Sequence, residues 1–324
     1  MLFRGEILWR ILLAILIIAA LIVTVIIIVR WQNSGGYQPD LDIDVVLESD
    51  GKKYRYRSDV ELVLIMGVDK YGDEVQSDSY NNDQKADFLM LLVVDKTNRI
   101  YHSVQINRDT MAELDVLGVG GQKVGTVTAQ LALAHTYGSG GQDSCRNTAV
   151  AVSRLFGGIR IDKYIAMTMD TVGFVNDLVG GVTLTVADDM SMLDTALVKG
   201  ETVTLTGQQA LLYVRSRSGL LNDTNAARMQ RQKQYLDALF EKFGKYDETE
   251  HEITDEQISE LFGYVTTDCN LNELESLKKM FEEYESGDIT ELEGETRVVA
   301  NVEFYPTDKS IKEILIKYIL EEKT

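Results

Sequence analysis

The pattern of apolar and polar positions predicts three consecutive β-strands early in the chain. Apolar runs cover residues 62–66 (LVLIM), 88–94 (FLMLLVV) and 100–106 (IYHSVQI). Asp95-Lys96-Thr97-Asn98, between the last two runs, is a turn signal. Strands that follow one another along the chain usually pair as neighbours. We therefore expect an antiparallel meander.

In such a meander one rim of the sheet carries polar side chains. Asp69 follows the first strand, Asp87 precedes the second, and Arg108-Asp109 follows the third. Strand direction alone places these groups at the same end of the sheet. In the alternative interpretation the two aspartates are ordinary turn residues and Arg108-Asp109 is a surface ion pair.

The later residues alternate helical and strand patterns. Helices are predicted over residues 128–137, 147–156, 171–178 (capped by Asp170), 206–213, 226–240, 271–285 and 310–320, and strands over 164–169 and 182–186. This alternation is typical of an α/β or α+β fold. No internal repeat interrupts it.

A cluster of arginines lies within YVRSRSGLLNDTNAARMQRQ, residues 213–232. On the helix from Ala226, Arg228 and Gln232 border the apolar stripe and Arg231 lies further round. Arg215 and Arg217 share a face if their segment is extended and point apart if it is helical. Arginines this close together repel one another, so their clustering favours an anion that they share. The guanidinium fork suits phosphate, because it binds two phosphate oxygens at a time. The alternative is surface arginines paired with the acidic tail.

An uncharged run from Ile11 to Val29 predicts a transmembrane helix. Arg30-Trp31-Gln32 follows it instead of a small-residue cleavage site, so we expect a retained anchor and not a signal peptide. Arg4 and Arg10 precede the run, and the positive-inside rule leaves the N-terminus in the cytoplasm. The prediction is a single-pass type II protein of the cell membrane, with its main domain extracellular.

Charge and composition exclude several classes of protein. The net charge is −19, and residues 241–324 carry 23 acidic and 9 basic side chains, so duplex nucleic acid is excluded as a partner. The spacing of the three histidines, His102, His135 and His251, is not that of metal ligands. The glycine-rich residues 118–123 match neither the dinucleotide-binding fingerprint nor the P-loop pattern. Cys145 and Cys269 either pair or stay reduced, which the sequence does not decide.

The chain resembles the LytR-CpsA-Psr family of bacterial cell-envelope proteins. The resemblance covers roughly residues 60–240 and the N-terminal anchor. It is carried by MGVD (66–69), KADF (85–88), NRDT (107–110), AHTYG, DKYIAMTMD, LVGGVTLTV (178–186), and LTGQQALLYVRSR followed by ARMQRQ.

This resemblance implies an α-β-α sandwich with a central mixed sheet and phosphotransferase activity. The implied reaction moves a glycopolymer (teichoic acid, capsule or another secondary wall polymer) from an undecaprenyl pyrophosphate carrier to peptidoglycan. Asp69 and Asp87 match the family's carboxylates for Mg²⁺, with Mn²⁺ as an alternative ion. The residues that match the pyrophosphate site are Arg108, Arg215, Arg217, Arg228 and Gln232, with Lys85 beside them; Asp87, Arg108 and Asp109 are the catalytic candidates. Residues 128–137 and 171–178 are expected to line a groove for the prenyl chain; the alternative is that these side chains simply pack in the core.

Two departures from the family pattern concern the site. Lys85 stands where an arginine is common, and Asn225 stands near where an aspartate is common, with Asp223 two residues earlier. A lysine keeps the charge but lacks the bidentate fork.

The expected organisation is an anchor (1–30), a linker (31–56) and a catalytic domain (57–324) with its motif core at 60–240 and an acidic part at 241–324. Two other functions stay open. One is a pyrophosphatase that hydrolyses the lipid carrier, and the other is a non-catalytic, lipid-sensing regulatory module.

Overall fold

A six-stranded mixed sheet forms the centre of the computed structural model. The structure describes residues 47–69, 84–118, 121–138, 140–216, 224–243, 254, 257, 260–261 and 263–323. Residues Pro39–Thr324 form one compact unit. The strands are β1 Leu47–Ser49, β2 Lys52–Tyr56, β3 Val60–Val68, β4 Ala86–Asp95, β5 Ile100–Ile106, β6 Met111–Leu117, β7 Lys123–Gln130, β8 Lys163–Met167, β9 Thr183–Thr185, β10 Thr202–Thr204, β11 Val265–Thr267, β12 Glu285–Glu291, β13 Gly294–Val298, β14 Val302–Pro306 and β15 Leu320–Glu322.

The helices surround this sheet. They are α1 Gln142–Leu155, α2 Met169–Leu178, α3 Gly207–Arg215, α4 Asn225–Phe243, α5 Leu271–Glu283 and α6 Asp308–Ile314. A 3₁₀-helix covers Leu131–Tyr137, and a π-helix covers Leu315–Ile319.

The central sheet has the strand order β11-β8-β3-β4-β5-β12. Strands β3, β4 and β5 pair antiparallel in sequence, so the predicted meander is confirmed. β8 runs parallel to β3, and β12 runs parallel to β5, which makes the sheet mixed. The C-terminal part supplies both edge strands, β11 and β12, and therefore completes this fold.

Helices cover both faces of the sheet because the central strands are apolar on both sides. Leu64 and Leu91 face a cluster that includes Val152 of α1. Val63 and Leu92 face the opposite cluster, which includes Met280 of α5. These strand residues are at most 1% exposed, and full burial of each stabilises the fold by about 1.5–3 kcal/mol.

A separate apolar cluster fixes the helices that carry the arginines. It joins α2, α3 and α4 to the short β9-β10 pair through Leu184, Ala210, Tyr213 and Tyr235. Helix α3 starts at a capping box: Thr206 Oγ1 accepts from Gln209 N at 3.3 Å, and Gln209 Oε1 accepts from Thr206 N at 3.1 Å. The predicted start of this helix is confirmed, although it ends at Arg215 and not near Tyr213.

Several sequence predictions of local structure are wrong, and the helix predicted over 147–156 already begins at Gln142. Residues 128–130 end strand β7, and only 131–137 are helical, as a 3₁₀-helix. Thr168 and not Asp170 is the N-cap of α2, since Asp170 lies in its first turn. The predicted helix over 310–320 is α6 followed by a π-helix.

The predicted linker is also too long at its C-terminal end. Strands β1 and β2 lie inside residues 31–56 and form a three-stranded sheet with β15. Their sequences, LES and KKYRY, contain few apolar residues, so no periodic signal marks them.

The predicted anchor over Ile11–Val29 lies outside the described residues. Among the residues that the structure does describe, no helix is long and apolar enough to cross a membrane. Cys145 and Cys269 form no disulfide in the described part of the chain.

Candidate active site

The two aspartates predicted to share a rim lie at adjacent strand ends. Asp69 follows β3, and its backbone N donates to the carbonyl of Lys85 at 2.8 Å, just before β4. Asp87 is the second residue of β4, where the pairing register shifts between Gly67 and Val68 of β3. The meander therefore brings both carboxylates to the same end of the sheet.

Two nearly buried guanidinium groups meet at Asp87. Arg108 Nη1 donates to Asp87 Oδ1, and Arg228 Nη1 lies 3.6 Å from Asp87 Oδ2. The side chains of Arg108 and Arg228 are 10% and 3% exposed, and that of Asp87 is 15% exposed. Two guanidinium groups held this close to each other away from water repel, and a bound anion would relieve that repulsion.

Arg108 also has unused donor capacity. Its Nε is buried and, within the described part of the chain, makes no hydrogen bond, although it lies 3.5 Å from Asp109 Oδ1. Asp109 is itself only 4% exposed, and it accepts from Gln130 Nε2 at 3.1 Å. Asp109 is therefore placed to orient Arg108 from the side away from Asp87.

Arg215 and Gln232 complete the described part of the cluster. Arg215, the last residue of α3, donates from Nη2 to Asp69 Oδ1 at 3.1 Å, and this pair is partly exposed. Gln232 donates to the Val214 carbonyl at 3.1 Å and accepts from Gln105 Nε2 at 3.1 Å. Lys85 is exposed, and Arg217 lies outside the described residues.

Arg231 does not belong to this cluster, although the sequence groups it with the others. It is fully buried, and its guanidinium donates to the Tyr213 carbonyl at 3.0 Å, to Asp188 Oδ2 at 2.6 Å and to the Ser216 carbonyl. Arg231 therefore fastens the end of α3 and the Asp188 segment to α4.

An apolar cavity of about 150 Å³ opens beside the charged residues. Its polar end carries Asp87, Arg215, Arg228 and Gln232. Its apolar walls come from the ends of β3 and β8 and from α2 and α4: Gly67, Met167, Met169, Val172, Val175, Leu236 and Leu239 line it, among others. Burial raises the pKa of the lining residue Tyr235, so its phenol stays neutral.

The cavity lining combines charged and apolar side chains, as binding of an amphiphile with an anionic head requires. Its volume is comparable with that of an engineered apolar cavity of about 150 Å³ that binds benzene. Residues of α2 line it, as the sequence predicts for 171–178. The other predicted wall, residues 128–137, does not line this cavity.

Two asparagines outside the predicted set of catalytic, pyrophosphate-binding and metal-binding residues also lie here. Asn107, which is half-buried, and Asn225, which is buried, hydrogen-bond to each other, and Asn225 accepts from Arg228. The sequence marks Asn225 as a helix-capping residue type near a position where the family commonly has an aspartate, but its pairing with Asn107 leaves no periodic signal.

Asp69 and Asp87 fit the requirements of a magnesium ion in their chemistry. Mg²⁺ prefers hard oxygen ligands and is usually held by one or two carboxylates together with substrate phosphates and water. Among the described residues there is no group of three or more His, Cys, Asp or Glu side chains suited to a metal. Further ligands would therefore come from the substrate and from water.

The structure also brings together one cysteine and one histidine. His135 Nε2 lies 3.8 Å from Cys145 Sγ, and His135 Nδ1 lies 2.9 Å from the Gln84 carbonyl. Both residues are 0% exposed. A thiol this deeply buried is out of reach of a substrate, so Cys145 is not supported as a nucleophile.

Comparison with known proteins gives a consistent picture. The model of the LytR_cpsA_psr family matches residues 42–318. A polyisoprenyl-teichoic acid–peptidoglycan teichoic acid transferase, TagU of Bacillus cereus (strain AH820), is 28% identical over 188 residues, which are 57% of this chain and 54% of TagU. The chain thus matches about half the length of this relative.

Solved structures share the fold at lower identity. TagT bound to LI-WTA has a TM-score of 0.61 and 19% identity, covering 87% of this chain and 94% of TagT. B. subtilis TagV has a TM-score of 0.57 and 22% identity, covering 80% of this chain and 95% of TagV.

Proposed function

Because this chain belongs to the LytR_cpsA_psr family, we propose that it is a membrane-anchored phosphotransferase that attaches a glycopolymer to peptidoglycan. The donor is the polymer linked to undecaprenyl pyrophosphate. The polymer is a teichoic acid, a capsular polysaccharide or another secondary wall polymer. The naming of TagU as a teichoic acid transferase supports the first of these.

One observation carries the proposal: Arg228 and Asp87 line an apolar cavity, and a second nearly buried arginine, Arg108, contacts the same aspartate. A prenyl pyrophosphate needs both features, a cationic grip for the diphosphate and an apolar channel for the chain. Arg108 and Arg228 supply the first, with Arg215 at the exposed rim. Helices α2 and α4 supply the second.

Phosphoryl transfer depends mainly on positioning and on neutralisation of charge. A hydroxyl oxygen of the acceptor glycan attacks the phosphorus that bears the polymer, the bond from that phosphorus to the bridging oxygen breaks, and undecaprenyl phosphate leaves. Arg108 and Arg228 stabilise the charge that develops on the diphosphate oxygens. Asp87 contacts both of these arginines, and in this proposal it takes the proton of the attacking hydroxyl.

Asp69 and Asp87 are the residues that would hold Mg²⁺, or Mn²⁺ in its place. The ion supplies further neutralisation of the phosphate charge when it is bound. Each aspartate also meets an arginine, so the same carboxylates order the cationic side chains. Arg217 and Lys85 extend the positive surface in this proposal.

The proposed location is the outer side of the cell membrane. The uncharged run from Ile11 to Val29 anchors the chain, and the folded unit faces the wall with both the lipid carrier and peptidoglycan within reach. Membrane anchoring suits a substrate that is itself a membrane lipid.

The direct test is removal of one arginine from the site. The variants Arg108→Ala and Arg228→Ala should lower polymer transfer from a lipid-linked donor to peptidoglycan by about 10²-fold or more, because each removes a preorganised donor to the diphosphate. Arg55→Ala is the matched control, since Arg55 is 54% exposed and pairs with Glu321 at the surface. Undiminished transfer by Arg228→Ala would contradict the assignment.

Product analysis separates the alternatives. A pyrophosphatase would release free phosphorylated polymer without linkage to peptidoglycan, because water would replace the sugar hydroxyl. A regulatory module would bind the prenyl pyrophosphate with no turnover, with or without Mg²⁺.

A further inference from the structure

A pair of side-chain amides joins the two halves of the site. Asn107 follows β5 and belongs to the turn that carries Arg108, whereas Asn225 is the first residue of α4, one turn before Arg228. Asn225 Nδ2 donates to Asn107 Oδ1 at 2.8 Å. Asn225 is 9% exposed, so its end of this bond lies almost out of water.

Each amide is engaged on a second side. Asn107 Oδ1 also accepts from the backbone N of Asp109 at 2.9 Å, which closes an Asx turn. Asn225 Oδ1 accepts from Arg228 Nη2 at 2.6 Å. A continuous series of three hydrogen bonds therefore runs from the Arg108-Asp109 turn to the guanidinium of Arg228.

The orientation of both amides is fixed by groups that can only donate. A backbone N–H and a guanidinium have no acceptor atom, so Asn107 must present Oδ1 to Asp109 N and Asn225 must present Oδ1 to Arg228. Asn225 is then left with Nδ2 toward Asn107. Position 225 therefore needs a side chain that accepts on one side and donates on the other.

The amide also orients Arg228 without adding negative charge. Arg231, one turn further along α4, has its charge matched by Asp188 at 2.6 Å. At Arg228 the contact at 2.6 Å is a neutral oxygen, and the nearest described carboxylate, Asp87, lies 3.6 Å away and is shared with Arg108.

We propose that Asn107 and Asn225 are positioning residues of the transfer reaction: together they hold Arg228 in register with Arg108, so that both guanidiniums grip one diphosphate. This inference rests on the proposed function for the identity of the ligand. Neither asparagine contacts the substrate in this role; each acts through an arginine.

The test compares two substitutions that add the same charge to the same hydrogen-bond series. In Asn107→Asp the new carboxylate can still accept from both Asp109 N and Asn225 Nδ2. In Asn225→Asp the carboxylate can accept from Arg228 but cannot donate to Asn107, so two acceptor oxygens face each other. Asn225→Asp should therefore be the more harmful change.

The measurement is calorimetric titration of the folded protein with geranyl pyrophosphate. Asn225→Asp should weaken binding by about 10-fold or more relative to Asn107→Asp at neutral pH, equivalent to about 1.4 kcal/mol. The affinity of each variant is divided by that of the wild type at the same pH. The difference between the two variants in this relative affinity should become smaller as pH falls, because the carboxyl group introduced by Asn225→Asp can donate again once it is protonated. A purely structural role for Asn225 would give no such narrowing.

Loss of folding is a separable outcome. A carboxylate in the first turn of a helix is favourable and offsets part of the cost of the two facing acceptor oxygens, so the melting temperature of Asn225→Asp should not fall far. If it does, Asn225→Ala removes both hydrogen bonds without adding charge and should raise KM for the lipid-linked donor more than it lowers kcat.

The inference is overturned if the two aspartate variants bind geranyl pyrophosphate equally, or if the deficit of Asn225→Asp does not change with pH. A wild type that binds geranyl pyrophosphate but transfers no polymer would contradict the proposed transferase while leaving this comparison valid.

Discussion

Arg228 and Arg231 lie one turn apart on α4 and have opposite roles. Arg228 points to the rim of the sheet, where Asp87 and Asn225 orient it. Arg231 points into the protein and donates to two carbonyls and to Asp188. The sequence ARMQRQ contains both, and helical spacing separates their directions, but only the contacts reveal which of them is satisfied by the protein itself.

This difference predicts a difference in stability between two identical substitutions. Arg231→Met should lower the free energy of unfolding by about 3 kcal/mol, because it leaves Asp188 and two carbonyls without a buried donor. Arg228→Met should lower it less, because removing one of two cations at Asp87 relieves repulsion with Arg108. Denaturant unfolding of both variants measures this. Equal losses would contradict the assignment of roles.

At the scale of elements, the facing helices α2 and α4 form the apolar walls beside the charged rim. Val172 and Val175 of α2 line the cavity together with Leu236 and Leu239 of α4. Gly67 of β3 lies at its base, where a Cβ atom would come within 2.9 Å of Phe88 Cβ. The lack of a side chain at this position lets β3 and β4 approach closely beneath the cavity.

Filling this cavity should weaken binding of the prenyl chain and not of the diphosphate. Val172→Phe adds a ring at the cavity wall, and we expect it to raise the Kd of a long-chain prenyl pyrophosphate by about 10-fold through lost apolar contact. The affinity for inorganic pyrophosphate should not change. Calorimetry with both ligands measures the effect.

The matched control is Val124→Phe, since Val124 is 62% exposed on β7 and does not line the cavity. If Val124→Phe weakened long-chain binding as much as Val172→Phe, the cavity would not be the prenyl site.

The sequence predicts elements best where a strand or helix has a strong pattern of its own. Strand β5 has the same bounds in the prediction and in the structure, and β3 and β4 extend beyond their predicted bounds by only one or two residues at each end. The prediction fails at 128–137, because the alternating residues of β7 run directly into a short 3₁₀-helix and the combined segment resembles one helix.

The site is predictable only in part for a related reason. Strand direction puts Asp69, Asp87 and Arg108 on one rim, and helical spacing puts Arg228 beside the apolar stripe. Pairings between distant residues, such as Gln105 with Gln232 and Asn107 with Asn225, depend on how α4 docks on the sheet, which no local pattern encodes.

At the scale of the whole molecule, one end of the central sheet carries the candidate site and the other end contributes to stability. The end at Asp69 and Asp87 carries the candidate site. At the other end Arg57 donates to Asp59 Oδ2 at 2.8 Å and to Asp95 Oδ2 at 2.6 Å, which ties the start of β3 to the end of β4. Changes at this second end should affect stability and leave ligand binding intact.

The Arg57 cluster predicts a specific dependence of stability on pH. The hydrogen bond from Arg57, then that from Thr97, lowers the pKa of Asp59 to about 2. An unfolded aspartate has a pKa of about 3.9. Because the folded value is the lower one, Asp59 stabilises the fold above about pH 4, and this contribution is lost as pH falls toward about 2.

The variant Arg57→Gln should remove most of this step, because the hydrogen bond from Thr97 remains. Since the Asp59 side chain is 30% exposed, we expect the step to be about 1 kcal/mol in the wild type. Denaturant unfolding between pH 2 and pH 5 measures it, with Arg55→Gln as an exposed control two residues away. Persistence of the full step in Arg57→Gln would show that Arg57 is not its cause, and binding of geranyl pyrophosphate at neutral pH should be the same in all three proteins.

The β3-β4-β5 meander also bears on the order in which the chain folds. Asp87 and Arg108 are 21 residues apart, whereas Arg215 reaches Asp69 across 146 residues and Arg228 reaches Asp87 across 141. Closing long loops costs more entropy than closing short ones, and local contacts form faster. The part of the site carried by β3, β4 and β5 is thus expected to form early, and docking of α4 is expected to complete the site later. A chain in which α4 has not yet docked would bind the lipid carrier weakly. The time at which pyrophosphate affinity appears during refolding would therefore show when α4 docks.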